Sequence, residues 1–239
     1  MQNHKLIYEG KAKKIYQTEM ANQVLMEFKD SLTAFNALKK GEFKGKGELN
    51  CQISTLIFKL LTKSNIKHHW IETRDKNHML VEKTEIIPLE VVVRNYMAGS
   101  LAKKLGLTEG QKLNQPVVEF YYKKDELNDP FVNDDQSVAL GWADQKSLNV
   151  LKSKALEINQ VLVTLFQKVG LKLIDFKTEF GRDQKNEIIL SDEISPDCMR
   201  LWDEKTDKKL DKDRFRQDLG DIEEAYTEVF QRIEKGVLL

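Results

Sequence analysis

The chain has 239 residues, 41% hydrophobic and 32% charged, enough to bury a sizeable core and to exclude a disordered or low-complexity class. At roughly 150 residues per domain, that length predicts one domain or two interlocked ones. Lys plus Arg and Asp plus Glu each number 38, a zero net charge that argues against nucleic acid or a membrane surface as partner and leaves room only for a local basic pocket.

The first third reads as short strands. Leu6–Tyr8, Ala12–Gln17 and Gln23–Phe28 are β-prone pieces separated by Gly10 and by residues 19–22, which predicts an antiparallel meander. Residues 48–64 read as a helix with Leu49, Ile53, Leu56, Leu60 and Leu61 on one face and Asn65 as its stop. Strands return at 68–72, 78–83 and 89–94; the last is an apolar run interrupted only by Glu90, so it is expected to be central and buried. Ser100 is expected to open a short helix over Leu101–Leu105. A long helix is predicted over 146–169, with Asp144 at its start and Gly170 just past its end. A strand pair follows at 171–180 and 187–194. A second long helix is predicted over 213–235, with Phe215, Leu219, Ile222, Tyr226, Val229 and Ile233 inward. The fold class is α+β with mostly antiparallel sheet. No repeat and no Pro/Gly/Ser-rich linker marks a boundary.

Cys51 and Cys198 lie far apart without a CxxC, so neither a zinc site nor a disulfide framework is expected. The four histidines, His4, His68, His69 and His78, form no cluster and read as surface or satisfied residues. The amino terminus lacks an apolar signal core and no run approaches the roughly 18 apolar residues of a membrane span, so the expected location is the cytoplasm.

The chemistry concentrates on the strand 171–180. Period-two alternation puts Asp175, Lys177 and Glu179 on one face and Ile174, Phe176 and Phe180 on the other. The turn Arg182–Asn186 centres near Lys185, so facing positions should sum to about 370. Glu179 then lies beside Ser191 and Asp192, and converging carboxylates need a cation between them. Magnesium takes one or two carboxylates together with substrate phosphates, which makes a magnesium–nucleotide site the natural occupant. Lys11 and Lys13 on the Gly10 turn could point together at an anion. Arg94 and Ser100, after the buried strand, supply a fork and a hydroxyl. Asp197 and Arg200 follow Asp192 closely enough to share its cleft.

Tyr8-Glu-Gly-Lys-Ala-Lys-Lys-Ile-Tyr16, the stretch Ile86–Ser100, Leu173-Ile-Asp-Phe-Lys-Thr-Glu-Phe-Gly181 and the stretch Asp192–Asp203 closely resemble the SAICAR synthetases, in their short single-function bacterial form. Asp211-Lys-Asp-Arg-Phe-Arg216 extends the resemblance toward the end of the chain. It implies an ATP-dependent ligase of purine biosynthesis that joins L-aspartate to carboxyaminoimidazole ribonucleotide (CAIR) through an acyl-phosphate, using Mg²⁺. It further implies a small amino-terminal sheet part (1–84, nucleotide-binding) and a larger α+β part (85–239) with the ATP cleft between them, and a homodimer.

By motif match, Lys11, Ala12, Lys13 and Lys123 would hold ATP phosphates, and Val24, Val81 and Ile86 would line the adenine pocket. Glu179 and Asp192 would bind Mg²⁺. Arg94, Ser100 and Arg200 would clamp the ribonucleotide phosphate, with Glu90 and Asp197 near its ring. Lys177 and Asp175 would be catalytic. Thr33, Lys212 and Arg216 are the aspartate candidates, with Asn36 in the same loop. Thr178, where the family carries an apolar residue, should point away from the charged face, and Ala37 stands where a glycine is common. Two other readings share part of this set: another Mg-ATP-dependent enzyme acting on a different small acid, and a nucleotide-sensing module, which would have no use for Lys177 between two carboxylates.

Overall fold

The computed structural model describes residues 5–34 and 38–238, so His4, Asn36 and Ala37 lie outside the described residues. β1 (Leu6–Glu9), β2 (Lys13–Gln17) and β3 (Gln23–Phe28) form the expected antiparallel meander. β4 (Ser31–Ala34) and β5 (Lys39–Glu42) pair only with each other. After α1 (Lys46–Lys63), β6 (Trp70–Thr73) and β7 (His78–Glu82) complete a five-stranded sheet in the order β1-β2-β3-β7-β6.

The second sheet begins with β8 (Glu85–Tyr96), followed by α2 (Gly99–Leu105), β9 (Lys112–Tyr122), β10 (Phe131–Val132), α3 (Asp134–Ala139) and α4 (Gln145–Lys168). β11 (Leu171–Arg182), β12 (Ile188–Leu190), β13 (Met199–Asp203), α5 (Asp213–Arg216) and α6 (Ile222–Leu238) complete the chain. Strand order is β10-β9-β8-β11-β12, with β13 also on β11, and every named pairing is antiparallel. The fold class is therefore the α+β arrangement expected. One continuous hydrophobic core runs from Val24 and Phe28 through Phe58, Phe120 and Phe176 to Ile233.

α1 starts where Asp30 supplies acceptors for two helix-entry N–H groups, Gly45 at 3.1 Å and Gly47 at 2.9 Å. A Cβ on Gly47 would come 2.4 Å from the Phe28 carbonyl oxygen, so this close approach requires glycine. The buried face of α1 is Cys51, Ile53, Ile57, Phe58 and Leu61; Leu49, Leu56 and Leu60 are only half-buried, a rotation of the expected stripe. α4 matches expectation closely. The Asp144 carboxylate caps it by accepting the Ser147 N–H at 2.7 Å, and Gly170 ends it at φ 70°.

Three expectations are corrected. The helix expected over 213–235 is broken into α5 and α6, because Asp218, Gly220 and Asp221 take positive φ. The Arg214 guanidinium holds that break by donating to the carbonyls of Leu219 at 3.0 Å and Gly220 at 2.7 Å. Tyr226, Val229 and Ile233 are fully buried as expected, whereas Leu219 is exposed and Phe215 and Ile222 are half-buried. β8 is central, but only one face, Ile87, Leu89, Val91 and Val93, is in the core; Glu90 and Val92 face the other way. Ser100 lies inside α2 rather than capping it, and the Gly99 N–H is already taken by Glu109 at 2.9 Å.

The histidine reading also changes. His69 is buried with Nε2 unpartnered, as is Nδ1 of His68, and burial pushes His69 down to about 3, keeping it neutral. Cys51 and Cys198 are free thiols, and burial pushes Cys51 up to about 12. Among the described residues no helix is long and apolar enough to cross a membrane.

Candidate active site

The site grows from the pairing of β8 with β11. Register sets Asp175 opposite Arg94, Lys177 opposite Val92 and Glu179 opposite Glu90. With period-two alternation, these residues share one face of the sheet and present a row of charge to the cleft. The β11–β12 hairpin pairs Phe180 with Leu190 and Arg182 with Ile188, each summing to 370 as expected. The Ser191 N–H donates to the Glu179 carbonyl at 3.0 Å, which brings Asp192 alongside Glu179.

Three lysines from three elements meet these carboxylates. Lys177 Nζ lies 2.8 Å from Glu90, 3.2 Å from Glu179 and 4.0 Å from Asp192. Lys13 from β2 hydrogen-bonds Asp192 and stands 3.1 Å from Glu193. Lys123, just past β9, reaches Glu179 at 3.0 Å. Burial opposes the charge on Asp192, but Lys13 and Lys177 outweigh it and hold the carboxyl well below the usual carboxylate range. Burial likewise opposes the charge on Lys177, yet Glu179, Glu90 and Asp192 raise its ammonium well above the ordinary lysine value. Glu90 goes the other way: burial raises it, and Lys177 offsets this only in part.

A second cluster adjoins along β11. Arg94 donates to Asp175 and to Glu119, each at 2.7 Å, to Ser100 Oγ at 3.0 Å and to the Tyr121 hydroxyl at 3.1 Å. Arg200 from β13 donates to Asp175 at 2.8 Å and to Asp213 at 2.8 Å. A Cβ on Gly99 would come 2.5 Å from the Arg200 guanidinium, so α2 begins with glycine where the arginine passes. Beyond it, Asp197 is held by Lys46 at 2.6 Å, by the Tyr226 hydroxyl at 2.7 Å and more distantly by Lys212 at 3.9 Å. A cleft of about 160 Å³ joins these groups, walled by Val92, Arg94, Asp175, Lys177, Asp197, Cys198, Met199, Arg200 and Arg216. Lys177 belongs both to this wall and to the lysine–carboxylate cluster.

Chemically this is an anion-handling site with two ends. At one end, lysines and carboxylates are already paired, so a metal–phosphate group can enter by exchange: metal to carboxylate, phosphate to lysine. At the other end, buried arginines offer forked donors suited to a phosphate or carboxylate. Glu179 and Asp192 fit the donor set magnesium prefers, which is few protein oxygens with phosphates supplying the rest. Among the described residues no group of three or more His, Cys, Asp or Glu forms a ready metal cage.

The sequence matches the SAICAR synthetase family over residues 6–233. The chain belongs to that family. It is 58% identical to the phosphoribosylaminoimidazole-succinocarboxamide synthase of Nautilia profundicola, over 96% of this chain and 98% of that one. Identity to the Wolinella succinogenes enzyme of the same name is 55%, over 98% and 99%. The crystal structure of the synthase from Ehrlichia chaffeensis superposes with a TM-score of 0.94 at 44% identity, over 96% and 98%. A SAICAR synthetase (Type-2) in complex with ADP gives 0.92 at 50% identity, over 95% and 96%.

In this chain, most of the expected site residues converge. Lys13, Lys123, Lys177, Glu90, Glu179 and Asp192 form one cluster, and Arg94, Ser100, Asp175 and Arg200 the next. Asp197 with Lys212 adjoins them, and Arg216 lines the cleft. Others stand apart. Lys11 is turned to Asp125 at 2.8 Å, and the Ala12 carbonyl accepts the Lys29 N–H at 2.8 Å. Val24 and Val81 face each other across β3 and β7 and are buried, while Ile86 is partly exposed at the start of β8. Thr33 is on the β4–β5 ribbon opposite Lys40; that ribbon touches α5 through Lys39, which donates to the Phe215 carbonyl at 2.6 Å.

Sequence reading missed Lys46, Glu119, Tyr121, Glu193 and Asp213. Lys46 has no exposed surface. Its one local signal is its place between Gly45 and Gly47 at a helix start. Glu193 and Asp213 lie inside recognised motifs without having been singled out, and Glu119 and Tyr121 come from β9, a strand the pattern did not reveal.

Proposed function

We propose that this chain catalyses the ATP-dependent ligation of L-aspartate to the carboxylate of CAIR, giving SAICAR, ADP and phosphate. The observation that carries the reading is the position of Lys177, whose ammonium joins the cluster suited to Mg-ATP to the arginine-walled cleft suited to a phosphorylated acid.

A carboxylate conjugated to an imidazole is a poor electrophile. One of its oxygens attacks the γ-phosphorus, the bond to the β-bridging oxygen breaks, and ADP leaves. The aspartate amine then attacks the acyl carbon, phosphate departs with that carboxylate oxygen, and the nitrogen gives up a proton. The protein's task is placement and charge rather than covalent chemistry. Lys13 and Lys123, with Lys11 and the Ala12 backbone, hold the phosphates, and Val24, Val81 and Ile86 border the adenine. Glu179 and Asp192 would hold Mg²⁺, which when bound neutralises phosphate charge.

Lys177 neutralises the CAIR carboxylate as it approaches the γ-phosphoryl group. Arg94, Ser100 and Arg200 grip the ribonucleotide phosphate, and Glu90 and Asp197 face its ring. Asp175, which accepts hydrogen bonds from both Arg94 and Arg200, serves to position them. Lys212, Arg216 and Thr33 serve aspartate. The division after residue 84 falls between β7 and β8 and separates the nucleotide-binding part from the rest. The reading extends to a homodimer in the cytoplasm, which sedimentation velocity and cell fractionation test.

The deciding experiment is ADP release with Mg-ATP, CAIR and L-aspartate, omitting each in turn. Release that needs all three supports the reading; ADP release indifferent to CAIR would refute it.

A further inference from the structure

Arg200 and Arg216 reach the cleft from different elements, β13 and α5, yet both are held by the carboxylate of Asp213. Arg200 Nε donates to Oδ2 of Asp213 at 2.8 Å, and Arg216 Nη1 hydrogen-bonds its Oδ1. Asp213 is 2% exposed and does not wall the cleft, so its charge serves the arginines rather than a ligand. Burial opposes that charge, and Arg200 and Arg216 outweigh it, holding the carboxyl below its usual range.

Asp211 fixes this carboxylate in place. With no exposed surface, it accepts the Asp213 N–H at 2.7 Å and the Leu201 N–H at 2.9 Å. The backbone beside Arg200 is thereby tied to the first turn of α5, which carries Arg216. Arg200 is held from two sides, by Asp175 and Asp213, and Arg216 by Asp213.

We infer that Asp213 is a positioning residue that couples the ribonucleotide-phosphate subsite at Arg200 to the amino-acid subsite at Arg216, so that filling either one orders the other. This rests on the assignment of those two arginines under the proposed function. An anion taken up by the outer nitrogens of Arg200 leaves its Nε on Asp213 and fixes the carboxylate's plane. The other oxygen of the same carboxylate then holds Arg216 ready. By thermodynamic linkage the coupling is reciprocal.

The test is equilibrium binding of CAIR and of L-aspartate, each with and without the other, in the presence of Mg²⁺ and a β,γ-methylene ATP analogue that prevents turnover. In the unaltered protein each ligand should tighten the other by the same factor, at least about fivefold. Asp213→Asn should bring that factor close to one while binding of the ATP analogue stays within about twofold, a split that general loss of structure would not produce. Asp213→Glu, which keeps the charge one methylene away, should retain part of the coupling and stands in if the Asn variant does not fold. An undiminished coupling factor in both folded variants, or a factor of one in the unaltered protein, overturns the inference. Arg200→Lys and Arg216→Lys serve as controls: if neither weakens its own ligand, the subsite assignment itself is wrong and the inference falls with it.

Discussion

Replacing Lys177 by methionine keeps an unbranched side chain of similar length and removes the charge. Two unit charges about 4 Å apart interact by about 4 kcal/mol at an effective dielectric of 20. The Lys177 side chain is 31% exposed, so solvent at the cleft mouth reduces that figure, and about 3–4 kcal/mol of transition-state stabilisation remains at stake. At 1.36 kcal/mol per tenfold, kcat should fall roughly 10² to 10³-fold. The fold should survive, because Lys13 still pairs with Asp192 and Lys123 with Glu179. Glu90 alone loses its partner, and its carboxyl, already raised by burial, can take up a proton instead. A coupled assay of ADP release gives kcat, and circular dichroism with thermal melting verifies folding. A folded Lys177→Met variant that turns over within tenfold of the unaltered protein would refute the reasoning.

Asp192→Asn should lower kcat at least about 100-fold and shift the magnesium dependence of turnover to higher concentration; an unchanged magnesium titration would remove Asp192 from the metal set. Thr178→Val should stabilise the protein by about 1 kcal/mol and raise Tm by about 2–4 °C without changing kcat, because the Thr178 hydroxyl is buried without a partner on the face away from Lys177. Urea unfolding at constant pH checks this, and a lower midpoint would contradict it. Burial first, and then the charge of Asp213, pushes Asp211 up to about 7. Between the ordinary carboxylate value and 7 the folded state therefore binds a proton that the unfolded chain has lost, and this contribution to stability fades as pH rises. His69, pushed down to about 3 by burial, has the opposite sign: below about 6.5 the unfolded chain takes a proton the fold refuses, so its contribution grows as pH rises. Asp211→Asn removes the first effect and leaves the second, so between pH 4 and 6.5 its stability should climb with pH more steeply than that of the unaltered protein, by up to about 1.4 kcal/mol per unit. Parallel curves from urea unfolding would contradict the assignment.

What the sequence revealed follows the range of the forces involved. The row Asp175, Lys177, Glu179 and the hairpin centred near Lys185 are local patterns of period and turn, and they suffice to put Glu179 beside Asp192. The two ends of α4, Asp144 and Gly170, are equally local. The break between α5 and α6 depends on Arg214 reaching two carbonyls beyond its own helix, which periodicity does not register, although Gly220 marks the spot. Lys46, buried against Asp197, is legible only once α1 and the loop before β13 are brought together. β8 looked buried on both faces because Val92 is as apolar as Val91 and Val93, and only the charges across from it on β11 reveal that one face floors the cleft.

Central to the proposed reaction is the transfer of the γ-phosphoryl group to an oxygen of the CAIR carboxylate beside Lys177. The direct measurement is turnover of CAIR carrying ¹⁸O in its carboxylate, with mass analysis of the phosphate released. One labelled oxygen transferred to each phosphate is the predicted result. Phosphate without label, from a reaction that still yields SAICAR, would contradict the claim.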